Sequence, residues 1–240
     1  MSNPTPFTAL VSGNPYPGRG IIVGQTPDGR GVFAYFIMGR SENSRNRIFV
    51  EEHGNVRTAA FDESKMTDPS LVIYYPIRRR KYGNGFIITN GDQTDTIFEG
   101  LDLGKTMSQS LTAREFEPDA PNFTPRISAI TSNRPFAYEM SILKSTDGGA
   151  TCERQTFSYA ATAGIGHFIH TYETDGNPLP SFTGEPKKVA IPDSIDEFAN
   201  EIWNTLNADN KISLYVRYMG ARGERQGGET RVFNKNERSN

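Results

Sequence analysis

The feature that most constrains this chain is its punctuation. Its apolar runs are short, the clearest being Gly31-Val-Phe-Ala-Tyr-Phe-Ile-Met38, and turn-forming residues separate them. Gly and Pro, 23 and 15 residues, make up about 16% of the chain against about 12% in average usage. No run approaches the roughly 20 apolar residues of a membrane-spanning helix. Many short strands joined by turns remain, and 240 residues suffice to bury a core beneath them.

The order of these runs sets the expected architecture. Residues 1–18, rich in Pro, Asn and Gly, read as an N-terminal arm. Gly20–Gly24 and Gly31–Met38 flank a Pro27-Asp-Gly29 turn and read as a hairpin. Further strands are expected at Ile48–Val50, Leu71–Tyr75, Phe86–Thr89, Arg126–Ile130, Phe136–Leu143, Gly166–Tyr172 and Ile212–Tyr218. Between Thr94 and Glu115 the apolar spacing becomes helical, with a break at Gly100 or Gly104. Ser194 is placed to cap a second helix, because Glu197 follows three residues later and Ile195, Phe198, Ala199, Ile202, Trp203 and Leu206 share a face. Residues 220–240 read as a polar tail. The sum is an α+β domain over 19–219, with stacked sheets and helices on the outer faces.

Charge and motif content narrow the function. With 26 basic and 28 acidic residues the net charge is −2, which argues against a broadly nucleic-acid-binding surface. The N-terminal residues lack the basic and apolar regions of a secretory leader, so a cytoplasmic location is expected. The one cysteine, Cys152, forms no internal disulfide and carries no thiol-catalysis signature. His167 and His170, three apart on a strand, face opposite ways and argue against a shared metal. No P-loop, nucleophile elbow or zinc-protease motif is present.

Two arginine groups follow expected strands, Arg40 with Arg45 and Arg47, and Arg78-Arg-Arg-Lys81. The planar fork of arginine suits phosphate, although solvated loops are the simpler reading of either group alone. Asn90-Gly-Asp-Gln-Thr-Asp-Thr96 packs polar side chains between a strand and a helix, where capping explains part of the need. Phe116-Glu-Pro-Asp119 and Asn122-Phe-Thr-Pro-Arg-Ile127 add carboxylates and Arg126 beside a strand start.

At these blocks the sequence resembles the archaeal-type inosine monophosphate (IMP) cyclohydrolases. The resemblance runs from Tyr16–Arg19 through Phe33-Ala-Tyr35, Arg40-Ser41 and Asn46-Arg47. It continues through Tyr74–Arg78, Thr94-Asp-Thr-Ile97, Phe116-Glu117 and Thr124-Pro-Arg-Ile127, with a weaker match at Thr171-Tyr-Glu173. It implies an N-terminal-nucleophile-hydrolase-like fold, a four-layer αββα sandwich of stacked antiparallel sheets. It also implies closure of the purine ring of 5-formamidoimidazole-4-carboxamide ribonucleotide to IMP and water, with no metal or organic cofactor. Tyr74, Glu117 and Arg40 match catalytic positions. Arg19, Arg47, Asn90, Asp92, Thr94, Asp95 and Arg126 would bind the purine nucleotide or wall its pocket. A homo-oligomer is implied, with no nucleic-acid or membrane partner. Ser2 is set apart from the first strand by a dozen or so loop residues and is not expected to serve as a nucleophile. The sequence departs from the family at Phe36, where many relatives carry arginine, in a longer Arg40–Arg47 loop, and at Pro76 and Arg78–Lys81. An amidohydrolase acting on another amide and a non-catalytic purine-nucleotide-binding protein are the alternatives.

Overall fold

The structure is a computed structural model that describes residues 4–133, 135–220 and 227–237. In chain order its elements are α1 (Phe7–Val11), β1 (Arg19–Gln25), β2 (Gly31–Met38), α2 (Glu42–Arg45), β3 (Arg47–Glu52), β4 (Asn55–Ala60), β5 (Ile77–Arg79), β6 (Phe86–Thr89), α3 (Gln93–Asp102), α4 (Met107–Ser110), β7 (Arg126–Asn133), β8 (Phe136–Lys144), β9 (Glu153–Ala160), β10 (Ile165–His170), β11 (Lys187–Ala190), α5 (Ile195–Thr205), β12 (Lys211–Met219) and β13 (Gly228–Asn234). The strands form a six-stranded sheet, ordered β11-β10-β1-β2-β12-β13, and a seven-stranded sheet that follows chain order from β3 to β9. All their pairings are antiparallel.

Alternation along β1 and β2 decides what lies where. Ile21, Val23, Phe33, Tyr35 and Ile37 project toward the seven-stranded sheet and pack with Phe49, Ile77, Ile88, Ile127 and Met140. Ile22, Ala34 and Phe36 project the other way, against Phe7 of α1 and Phe198 and Ile202 of α5. On the far face of the seven-stranded sheet, Ile87, Ile130 and Leu143 meet Ile97, Met107 and Leu111. Each such buried side chain is worth about 1.5–3 kcal/mol relative to exposure. The architecture is therefore α+β, with two stacked antiparallel sheets and helices on both outer faces.

Local chemistry sets the helix ends. Ser194 Oγ accepts the N–H of Glu197 at the start of α5, as its sequence indicates. Gly104, at φ +77°, ends the α3 segment where most side chains would be strained. Thr106 and Gln109 then form a reciprocal capping box that starts α4.

Several expectations fail. Leu71–Tyr75 is not a strand: the N–H groups of Val72 and Ile73 turn back to Pro69 O. Thr58 N donates to Tyr74 O, and Thr58 Oγ1 donates to the carbonyls of Val72 and Tyr74 and accepts from Tyr74 N, so one residue takes the place of a ladder. Strands β4, β9 and β11 and the short helix α1 lack apolar runs long enough to announce them. The polar tail includes β13, paired along β12, with Asn234 Oδ1 accepting from Phe49 N and Nδ2 donating to Phe49 O. Ser2 and residues 221–226 and 238–240 lie outside the described residues. Among the described residues no helix is long and apolar enough to cross a membrane.

Candidate active site

Arg19 opens β1, Tyr35 lies within β2 and Arg47 opens β3, all on the faces that meet between the sheets. The irregular 71–76 segment adds Tyr74, whose hydroxyl lies 2.8 Å from that of Tyr35. The loop before β7 adds Glu117, with Oε2 4.0 Å from Arg19 Nη2. Tyr74 is 7% exposed, Glu117 2% and Arg47 0%, so the group is an interior one.

The chain spends backbone and side-chain contacts on holding these groups. Arg47 Nε donates to Ser44 O at 2.7 Å, an acceptor supplied by the one-turn helix α2 between Arg40 and Arg47. Arg47 Nη1 and Nη2 and Arg19 Nε have no hydrogen-bond partner among the described residues. Arg19 N–H donates to Thr171 Oγ1, which donates to Pro17 O. Next to them Tyr172 stacks on Tyr16, and its hydroxyl meets Thr124 Oγ1, whose own proton goes to Asp119.

Burial and charge oppose one another here. Burial pushes the Glu117 carboxyl up to about 7, against the pull of Arg19, Arg126 and Arg47. Burial acts to lower Arg19, but Glu117 and the tyrosines Tyr172, Tyr16 and Tyr74 hold it well above its ordinary value. Arg47 is lowered, by burial and by repulsion from Arg19. Burial raises both Tyr35 and Tyr74, while Arg47, Arg19 and the Tyr35 hydrogen bond act to lower Tyr74. A carboxyl titrating near neutrality can both give and take a proton, and the neighbouring donors can hold or stabilise negative charge.

The structure brings together Arg19, Arg47, Tyr74, Glu117 and Arg126. Arg126 Nη1 donates to Asp92 Oδ1 at 2.7 Å and Gln93 Oε1 at 2.8 Å, and Asp92 also pairs with Arg114. A methyl group built on Gly91 lies 2.7 Å from Arg126 Nη1 and 3.4 Å from Glu117 Oε1, so this turn borders the carboxyl. Asn90 is buried and fully used, accepting from Ile127 N and Gln93 Nε2 and donating to Pro125 O. Thr94 is engaged with Thr89 and Gly91. Both hold the wall of the centre from behind.

Arg40 and Asp95 stand apart from this group. Arg40 pairs with Asp175 at 2.7 Å and lies over the Tyr16 ring, one ring outward from Tyr172. Asp95 is taken by Arg78, which also stacks on Phe98. Arg80 donates to Thr131 O of β7 and Lys81 pairs with Asp102 of α3, so these side chains serve packing contacts away from the centre. Phe36 also lies away from it, packed edge-on to Phe7 on the opposite face of β2 from Tyr35. The residue after Tyr35 is thus barred from the centre by strand alternation alone. A groove of about 540 Å³ on the outer face of β7–β9, between Leu101, Ile130, Glu139 and Tyr159, is likewise separate.

Sequence reasoning assigned no role to Tyr16, Tyr35 or Tyr172. Their only sequence signal was membership of blocks quoted for other residues.

A family model described as "IMP cyclohydrolase-like protein" matches residues 16–223. A protein of Methanopyrus kandleri named IMP cyclohydrolase is 34% identical over 125 residues, covering 50% of this chain and 61% of the relative. A Methanococcus aeolicus protein of the same name is 32% identical over 127 residues, covering 51% and 61%. The chain thus spans about three-fifths of the length of these relatives. The family match extends over most of the sequence and includes every residue of the buried centre, and on that ground the chain belongs to the IMP cyclohydrolase-like family.

Proposed function

We propose that this chain is an IMP cyclohydrolase, closing 5-formamidoimidazole-4-carboxamide ribonucleotide to IMP and water. The observation that carries the reading is the interior pairing of unpartnered arginine donors with a carboxyl that titrates near neutrality. The carboxamide nitrogen attacks the formyl carbon, and Glu117 takes the proton that nitrogen releases. Tyr74 donates to the formyl oxygen as it gains charge, giving a tetrahedral intermediate with a new C–N bond. Glu117 returns its proton to the departing hydroxyl, which leaves as water, and the formamido nitrogen gives up its own proton to the Tyr74 oxygen as the ring C=N bond forms. The free N–H groups of Arg47 and Arg19 hold the substrate's anionic part, because a buried cation surplus favours an anion. Arg126, with Asp92, Asn90 and Thr94 behind it, keeps the Glu117 side of the pocket in place. Arg40 closes the outer end over Tyr16.

The same reading implies a four-layer N-terminal-nucleophile-hydrolase-like sandwich, a single domain over 19–219, a homo-oligomer and a cytoplasmic location. It calls for no metal or cofactor. The test is turnover of the formamido ribonucleotide by the purified protein, followed by IMP formation. Glu117→Gln and Tyr74→Phe each lower kcat by about 10²-fold or more. Protein that neither turns over that substrate nor binds IMP ends the reading.

A further inference from the structure

The Tyr35–Tyr74 pair carries information that its 2.8 Å separation does not state directly: which oxygen owns the shared proton. Tyr35 Oη has Tyr74 Oη as its hydrogen-bond partner, and its ring stacks on Phe49 within the apolar packing between the sheets. If Tyr74 donated to Tyr35, the Tyr35 proton would face apolar packing and the guanidinium groups of Arg19 and Arg47, none of which accepts it. A buried hydroxyl left so costs about 1–3 kcal/mol. If Tyr35 donates, its proton is satisfied and Tyr74 Oη becomes the acceptor. The charged neighbours of Tyr74 then limit what its own proton can do. Arg47 of β3 and Arg19 of β1 are donors only, so neither can receive it. Glu117 is the remaining charged group acting on Tyr74, and in the proposed reaction it is the group that works on the substrate beside Tyr74.

From this arrangement we infer that Tyr35 is a positioning residue: it donates to Tyr74 Oη and thereby turns the Tyr74 hydroxyl outward, as a donor aimed at the reacting group. The inference rests on the proposed role of Tyr74 in ring closure. The direction of charge agrees, since the Tyr35 hydrogen bond acts to lower Tyr74 while Tyr35 itself is raised well above its ordinary value by burial and by Tyr74. Tyr35 touches no substrate in this arrangement and acts through one oxygen.

Two measurements test it. In a double-mutant cycle, Tyr35→Phe lowers kcat roughly tenfold in the wild-type background with little change in KM. In the Tyr74→Phe background the same substitution has no further effect, because the group it orients is already gone. Independent, multiplicative losses overturn the inference, since they describe a general packing defect. The second measurement needs no turnover: a slowly exchanging hydroxyl proton in the NMR spectrum of the whole protein, lost in both Tyr35→Phe and Tyr74→Phe while the fold persists. Absence of that resonance in the wild type, or its survival in Tyr74→Phe, overturns the inference. Wild-type protein that shows the resonance but no cyclisation retains the tyrosine arrangement and instead sinks the cyclohydrolase reading.

Discussion

Glu117 owes its chemistry to its depth. Its ordinary pKa is 4.5, and burial raises it to about 7 in the folded protein. Between those values the unfolded chain ionises this group while the native protein keeps it protonated. Native stability therefore falls as pH rises through that window and is level above it. Glu117→Gln removes the loss, so the variant is more stable than the wild type at about pH 8, by ~1–3 kcal/mol, while losing activity. Urea unfolding of both proteins at about pH 4.5 and pH 8 checks this: the two must converge at the lower pH. A wild type whose stability rises through the window contradicts the assignment. The kcat profile should show the same group from the other side, rising to a plateau as Glu117 becomes the base.

At the scale of elements, β2 shows how one-residue alternation separates chemistry from packing. Tyr35 faces the buried centre, and Phe36 fills the space under α1 and α5 with Phe7 and Phe168. Gly20 of β1, opposite Phe36 in the ladder, makes room for that ring: a methyl group there would lie 2.3 Å from Phe36 Cζ. Gly20→Ala is expected to destabilise the fold by about 1–3 kcal/mol through overpacking. Pairing it with Phe36→Leu should recover part of the loss in thermal melting. If Gly20→Ala melts like the wild type, the close packing described for this face is wrong.

Legibility follows the same division. The β1–β2 hairpin, the Ser194 cap and a helix break at one of two glycines, Gly100 or Gly104, could be read because each is decided by residues a few positions apart. Strand β9 escaped because its outward residues Arg154, Thr156 and Ser158 interrupt any apolar run, and only its pairing with β8 makes it a strand. Leu71–Tyr75 misled for the opposite reason: an apolar run was recruited by a distant Thr58. At the centre, Tyr74, Glu117, Arg19, Arg47 and Arg126 were legible through motif resemblance. The partners of Arg78–Lys81 were not, because α3 supplies them to Arg78 and Lys81, β7 to Arg80 and β6 to Arg79.

For the molecule as a whole, the placement of the centre between two sheets links ligand binding to global stability. Arg47 carries a buried charge whose terminal nitrogens lack partners in the described residues, and that costs stability in the ligand-free protein. Arg47→Met is therefore expected to melt at a higher temperature than the wild type without ligand. It is also expected to lose the upward shift that IMP produces in the wild type, a shift worth about 2.7 kcal/mol at a hundredfold excess over Kd. Thermal scans of both proteins with and without IMP decide this, and an undiminished IMP shift in Arg47→Met removes Arg47 from the binding role.

The tether on Arg47 has a consequence of its own. Its acceptor, Ser44 O, belongs to the surface loop between β2 and β3, yet the guanidinium it steers is wholly enclosed. Loop length at the rim is thus a coarse adjustment of where an interior charge points. Insertions and deletions on the outside of the molecule could retune its deepest cation while leaving every residue around that cation in place.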